Sequence, residues 1–288
     1  MPRAKHNTLF KLNYPRQSEW PYSISLGVLE RAAASEEPES FPFPECEPDM
    51  FLHMCSHEWQ YLEPRGKIAG PLSIRVSGKR IKKLDNLAKP FRLPNWIESD
   101  GLELTACGAK GILLVPHLPL FMELFEMQAW NHTGLLLASS AGVPRSEMRR
   151  FLKRVSESFN IPVYLLVEND AWGYFIFSVL KRGLVAPHES CRQLSIENLR
   201  YVGIDSRTGK EMKSKGTITN GNWSEVTTLR VQSLLKYQCF QSQAWQTELH
   251  RFLRNRSQCS VQDVIGGMTE SGKLSFIESI CVKSNGLI

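Results

Sequence analysis

Residues 161–183, I-P-V-Y-L-L-V-E-N-D-A-W-G-Y-F-I-F-S-V-L-K-R-G, constrain the fold of this chain more than any other stretch. The run Val163 to Val167 is apolar throughout and ends in two carboxylates, Glu168 and Asp170. A run without alternation predicts a strand buried on both faces, as in parallel sheets. An aromatic-rich helical pattern follows at once. If strand geometry persists to residue 170, Glu168 and Asp170 point the same way, because strand side chains repeat every two residues. Two converging carboxylates at the C-terminal end of a parallel strand offer a place for a divalent cation, where open α/β sheets bind ligands. The same pair also reads as acids capping the next helix, whose N-terminus favours negative charge. The spacing leaves both readings standing.

The surrounding pattern is an alternation. Strand-like runs lie at 111–115, 134–138, 162–167 and 200–204, and helical patterns at 118–130, 144–159 and 171–182. Strands alternating with helices predict an α/β fold with a parallel sheet covered on both faces. In 144–159, Pro144 suits a first helical position, and Met148, Phe151, Leu152, Val155 and Phe159 form a buried stripe at the 3.6-residue period. Arg145, Arg149 and Lys153 then fall in one outer row, with Arg150 and Arg154 in a neighbouring one. Like charges four residues apart oppose helix stability, so this face predicts an anionic partner, with a solvated surface as the plain alternative.

Segment 61–108 reads as short strands and turns. Lys79, Arg80, Lys82 and Lys83 cluster around Ile81 in a hairpin or loop, either a solvated face or a phosphate contact. Segment 109–222 holds the alternation, and 223–288 reads as two or three helices. There Ser224 suits a helix start, Trp245, Leu249, Phe252 and Leu253 form a core stripe, and Gly266-Gly267 supplies a turn. Residues 1–60 read as an irregular extension, because S-E-E-P-E-S-F-P-F-P-E-C-E-P-D at 35–49 blocks both helix and ladder. Cys46, His53, Cys55 and His57 within it follow C-x6-H-x-C-x-H, which matches none of the usual structural zinc spacings.

Charge sharpens this division. The chain carries a formal +6, yet residues 1–60 hold five Lys/Arg against nine Asp/Glu, which leaves a basic body. Such a body favours nucleic acid as partner. The N-terminus lacks a signal-peptide core, and no run approaches the roughly 18 apolar residues of a spanning helix, so a soluble intracellular protein is expected. Seven scattered cysteines fit reduced thiols.

Several motifs, in order, carry a family resemblance. E-N-D-A-W-G (168–173), the aromatic helix and K-R-G (181–183) resemble the Toprim domain of the A subunit of archaeal-type DNA topoisomerase VI, a family shared with the meiotic double-strand-break proteins. That family has an apolar strand, Asp-Gly-Asp, Pro-Trp-Gly and an aromatic helix closing in a Lys-Tyr-Gly-like turn. G-P-L-S-I-R (70–75) resembles the strand that precedes the domain, and G-V-P-R-S-E-M-R-R-F-L-K-R-V (142–155) resembles its Gly-x-Pro-Asp helix. L-L-K-Y-Q-C-F-Q-S-Q-A-W-Q-T-E-L (234–249) resembles its C-terminal helices.

The resemblance implies a Toprim-like, Rossmann-type parallel sheet with helices on both faces, a small N-terminal β region and C-terminal helices. It implies the DNA-binding A component of a type IIB topoisomerase, an ATP-driven isomerase, working as a homodimer with an ATPase B component. In that context Glu168 and Asp170 are expected to hold Mg²⁺ weakly, and the basic residues Arg75, Lys79, Arg80, Arg145, Arg149, Arg150 and Lys153 to contact DNA. The compartment would be the cytoplasm, at the nucleoid, or the nucleus in a eukaryote.

Two departures qualify the activity. The family's first metal ligand is a Glu, followed by Lys-Asp, at the end of the first Toprim strand; here Ile112-Leu113-Leu114-Val115 runs into Pro116-His117-Leu118. The family's nucleophilic tyrosine lies upstream in an Arg-Asp-x-Tyr-Tyr-like setting of a winged-helix domain. About sixty residues precede the matching region, and Tyr14, Tyr22 and Tyr61 lie in no such motif. A phosphotyrosyl-forming enzyme needs an activated nucleophile, so strand cleavage is expected to be degenerate. A metal-dependent Toprim nuclease and a non-catalytic partner on DNA are the alternatives.

Overall fold

In the computed structural model, four parallel strands form the centre of the fold. The structure describes residues 66–76, 79–94, 102–144, 146–182, 194–214, 223–256 and 258–283. The strands are β1 (Lys67–Ala69), β2 (Leu72–Val76), β3 (Lys82–Lys83), β4 (Phe91–Arg92), β5 (Leu102–Cys107), β6 (Gly111–Leu114), β7 (Leu135–Ser139), β8 (Val163–Leu165) and β9 (Leu199–Tyr201). The large sheet has the order β4-β1-β7-β6-β8-β9. The β6–β7, β6–β8 and β8–β9 pairs are parallel, whereas β1 runs antiparallel to both β7 and β4. The α/β fold and the parallel centre are as the sequence predicts. The sheet as a whole is mixed, because β1 and β4 extend one edge.

The central strands alternate between two cores, as strand geometry requires. Ile112, Leu114, Leu136, Ala138, Val163 and Leu165 pack in one cluster. Leu113, Val115, Leu135 and Leu137 pack in the other. On the first face lie α3 (Ser146–Phe159), α4 (Ala171–Arg182), α6 (Glu225–Leu234) and α7 (Gln243–Asn255). On the second lie α1 (Leu118–Glu126), α2 (Trp130–Thr133), α8 (Val261–Ile265) and α9 (Glu270–Lys283). Helix α5 (Ser206–Ser214) follows β9. This two-sided cover explains why the strands read as apolar at every position.

Local boundaries shift in three places. The helical pattern 118–130 divides into α1 and α2, because Gln128 takes a left-handed conformation (φ 48°) that ends α1. Helix α3 begins at Ser146 and not at Pro144, which follows a turn with Ala141 at φ 50° and Gly142 at φ 117°. The C-terminal region holds four α-helices among its described residues, with α8 a short one set off by Gly266-Gly267. Ser224 caps α6, its hydroxyl accepting from Thr227 N–H.

A second sheet of three antiparallel strands has the order β3-β2-β5. Leu72 and Ile74 of β2 reach into the first core. The cluster around Ile81 therefore sits where the chain returns from β2 into β3. Residues 1–60, including Cys46, His53, Cys55 and His57, and Tyr61 lie outside the described residues.

Helix α4 is buried from Ala171 to Leu180, all round its circumference. One side meets the sheet; another meets an aromatic cluster centred on Trp245. The Trp245 ring lies 4.8 Å from Phe177, 5.0 Å from Phe240 and 5.2 Å from Tyr201, centroid to centroid. Trp245 is fully buried, as its helical periodicity predicts. Replacing Trp245 by Ala should destabilise the fold by about 3–5 kcal/mol, because an aromatic-sized cavity opens between α4 and α7. Urea unfolding followed by far-UV circular dichroism measures this, and a loss under about 1 kcal/mol would mean the cluster collapses to fill the space.

Candidate functional site

The C-terminal ends of β6 and β8 lie side by side, with Leu114 in register with Leu165. From β6 the chain crosses over α1 and α2 to β7, and from β7 it returns over α3, on the opposite face, to β8. The crevice between β6 and β8 is thus the point where the winding reverses, the usual ligand position in such sheets.

Strand β8 ends at Leu165, so the strand argument for Glu168 and Asp170 does not carry through to residue 170. Instead, Asn169 makes an isolated antiparallel bridge with Cys259: its N–H donates to the Cys259 carbonyl at 2.9 Å, and Cys259 N–H returns a bond at 3.3 Å. The Asn169 side chain is buried and accepts from Tyr174 Oη at 2.9 Å. Backbone and side chain both anchor the loop that carries the acids.

Asp170 caps α4, its Oδ1 accepting from Gly173 N–H at 2.6 Å. Gly173 has a steric reason to be glycine: a Cβ there would lie 2.4 Å from the Glu168 carbonyl oxygen. The helix can approach the acid loop so closely only without a side chain. Burial pushes the Asp170 carboxyl up to about 6, against the opposing effects of the Gly173 N–H, the Arg230 guanidinium and the Trp172 N–H. Arg230 reaches in from α6 and lies over the Trp172 ring at 5.1 Å.

Glu168 is half-buried and makes no capping bond. Its carboxyl is pushed up to about 8, by burial first and then by the charges of Asp170 and Asp263. Asp263 belongs to α8, where it completes a capping box with Ser260: Ser260 Oγ accepts from Asp263 N–H at 3.0 Å, and Asp263 Oδ2 from Ser260 N–H at 2.9 Å. Glu168 therefore faces the charges of two other acids at the loop. Among the described residues, however, no group of three or more His, Cys, Asp or Glu is arranged to hold a metal ion. Pro116, where the resemblance implies the family's first acid, is buried, and its carbonyl accepts from Gly142 N–H. Glu168 and Asp170 are thus two carboxylates without the acid that the resemblance implies at Pro116.

The expected DNA contacts are dispersed by the fold. Arg145 lies outside the described residues. Arg149 is corrected: only 1% of it is exposed, so it is not on the outer face of α3. Glu147 and Ser156 are also buried, so the covered arc of α3 is wider than its apolar stripe marks. On the stripe, Met148 packs against the chain entering β1, its Cε 2.9 Å from where a Cβ on Gly66 would fall. Arg150 and Arg154 are exposed, and Lys153 pairs with Glu157 at 3.5 Å. Arg75 pairs with Glu103 across β2 and β5 at 2.9 Å. Lys79, Arg80, Lys82 and Lys83 are exposed.

Sequence reasoning missed Asp263 and Arg230. Asp263 had a local signal in Ser260-x-x-Asp263, a capping-box spacing, but nothing local placed that box beside Glu168. Arg230 had none, being one cation on a helix far along the chain.

An α/β protein with acids at the switch point of its sheet is the class this geometry defines. The family model for the Toprim domain of the topoisomerase 6 A subunit/Spo11 proteins matches residues 111–272. The chain belongs to that family. It is 28% identical to the A subunit of type 2 DNA topoisomerase 6 from Hyperthermus butylicus over 218 residues, covering 72% of this chain and 54% of the relative. It is 26% identical to the corresponding protein of Saccharolobus shibatae over 227 residues, with 74% and 57% covered. It is 24% identical to the meiotic recombination protein SPO11-1 of Oryza sativa subsp. indica over 155 residues, with 53% and 40% covered. The chain thus spans about half the length of the curated topoisomerase relatives it matches. No helix among its described residues is long and apolar enough to cross a membrane.

Two outcomes follow from the acid loop. Asp170→Ala should cost about 1–2 kcal/mol through the lost cap, and Asp170→Asn markedly less, because an amide oxygen still accepts the Gly173 N–H. Chemical denaturation of both variants checks this; equal losses would separate the effect from the cap.

The second outcome concerns pH. The folded chain holds the Glu168 proton more tightly than the unfolded chain, whose carboxyl has the ordinary value of 4.5. The acid therefore favours the fold at low pH and increasingly opposes it as pH rises from 4.5 through about 8. Glu168→Gln should gain in Tm relative to the parent across that window, and a Tm difference independent of pH would refute the assignment.

Proposed function

We propose that this chain is a DNA-binding Toprim protein that holds one Mg²⁺ weakly through Glu168 and Asp170. The observation that carries this reading is the loop itself. Two carboxylates stand at the switch point of a parallel sheet, each held at a raised pKa, with a third acid near enough to repel Glu168. Acids gathered at such cost are relieved by a cation, and Mg²⁺ accepts one or two carboxylates while keeping several waters. A cation bound there would supply positive charge for a phosphate oxygen of the DNA backbone.

The chain's own groups complete the picture. Arg230 offsets the charge of Asp170, and Asn169 holds the loop at a fixed place against Tyr174 and Cys259. Lys79, Arg80 and Arg150, with Lys82, Lys83 and Arg154, contact phosphates, while Arg75 and Lys153 exchange their carboxylate partners for them. Such contacts confer affinity without sequence preference.

By family membership, the chain would act in a homodimer with an ATPase B-like partner. Strand cleavage is not assigned to it. Among the described tyrosines, Tyr174, Tyr201 and Tyr237 are buried, and burial holds the Tyr174 and Tyr201 hydroxyls well above the ordinary range, which is opposite to an activated nucleophile.

The cap on Gly173 favours a second reading, in which the acids only shape the start of α4. Isothermal titration with Mn²⁺ separates the two. The parent should bind weakly, and the Glu168→Gln/Asp170→Asn double variant should lose that binding while keeping its circular dichroism. Pro116→Glu should bind more tightly, because it restores a third carboxylate. Equal heats from the parent and the double variant would make the acids structural.

A further inference from the structure

We propose that the β2–β3 hairpin deforms duplex DNA, with Ile81 as an apolar wedge between cations that grip the flanking phosphates. The inference rests on the DNA-binding reading above and adds what one element does to the duplex.

Strands β2 and β3 pair antiparallel, Ser73 with Lys83 and Ile74 with Lys82. Lys79 N–H donates to the Val76 carbonyl at 2.9 Å, which bends the chain as it leaves β2. Lys79, Arg80, Lys82 and Lys83 are all exposed, and among the described residues none lies within ion-pair distance of a carboxylate. This sets the hairpin apart from Arg75 and Lys153, whose charges are met by Glu103 and Glu157. Four uncompensated cations in five residues repel one another, and an anionic backbone relieves them.

Ile81 is the unexpected member. It is 50% exposed, and of the large exposed hydrophobic residues among those described (Ile81, Leu229, Met268 and Val282) it alone has cations on both sides in sequence. A β-branched apolar side chain gains nothing from water at that position. Lys82 lies back over the Phe91 ring at 5.9 Å. Strand alternation sends Lys83 to the opposite face, and exposed Ile81 stands just before β3, next to Arg80. The pair presents an apolar group beside a charge, the combination by which minor-groove proteins unstack a base step while holding its phosphates. The same chemistry would suit an anionic membrane surface; the family match favours DNA.

The test uses the full chain and a duplex with 2-aminopurine at its centre and a donor and acceptor dye at its ends. The parent should raise the 2-aminopurine fluorescence, shorten the end-to-end distance and bind with a steep salt slope. Ile81→Ser should keep that slope and lose less than about tenfold in affinity, because phosphate contacts dominate binding, yet lose most of the fluorescence rise. Ile81→Phe should restore it. The quadruple Ala variant of Lys79, Arg80, Lys82 and Lys83 should bind less tightly, with a log–log salt slope flatter by about 0.9 for each phosphate no longer neutralised. A parent that binds without unstacking, or an Ile81→Ser variant that unstacks as the parent does, overturns the wedge and leaves DNA binding intact. A parent that binds phosphatidylserine vesicles but no duplex overturns both.

Discussion

Parallel pairing of β6 with β8 is the interaction on which the candidate site depends. It sets the end of one strand, at Leu114, beside the end of the other, at Leu165, and brings the reversal of winding to that point. Each strand of the pair contributes side chains to both cores, so neither can slip by one residue without exchanging its whole buried set. The register is therefore firmly held, and with it the place of the acid loop. The loop has its own anchors in the Asn169–Cys259 bridge and the Asp170 cap on α4.

The electrostatics of that loop pull in two directions. Burial and mutual repulsion oppose the charges of Glu168 and Asp170, while Arg230 and the N-terminus of α4 favour the charge of Asp170 alone. The two acids are consequently unlike. Asp170 is tied into the fold by its cap, whereas Glu168 makes no such bond and answers to burial first and then to other acids.

A polar network behind the loop joins it to the C-terminal helices. Tyr174 Oη lies 2.9 Å from Asn169 Oδ1 and 3.3 Å from Glu248 Oε1. Glu248 is itself buried, accepts from Ser206 N–H at 2.7 Å and pairs with Arg251 at 2.8 Å. Breaking such a buried pair leaves an uncompensated charge, so α5 and α7 are bound to the acid loop by more than apolar packing. The C-terminal helices thus act as support for the site.

The elements and their burial were legible in the sequence. Continuous apolar runs at 111–115 and 162–167 meant strands covered on both faces, and the stripe of Met148, Phe151, Leu152 and Val155 meant a packed helix. These are local periodicities, set by side-chain directions along one element. It also fixed the position of the acids, because Glu168 and Asp170 follow a buried strand and precede a helix. Tertiary structure alone decided what those acids meet. Asp263 and Arg230 arrive from helices far along the chain, and no local pattern records which surface of one helix faces a loop of another. The same limit explains Arg149. Its charge suggested the outside, but packing widened the covered arc of α3 beyond its apolar residues, and a residue's burial depends on every element that surrounds it.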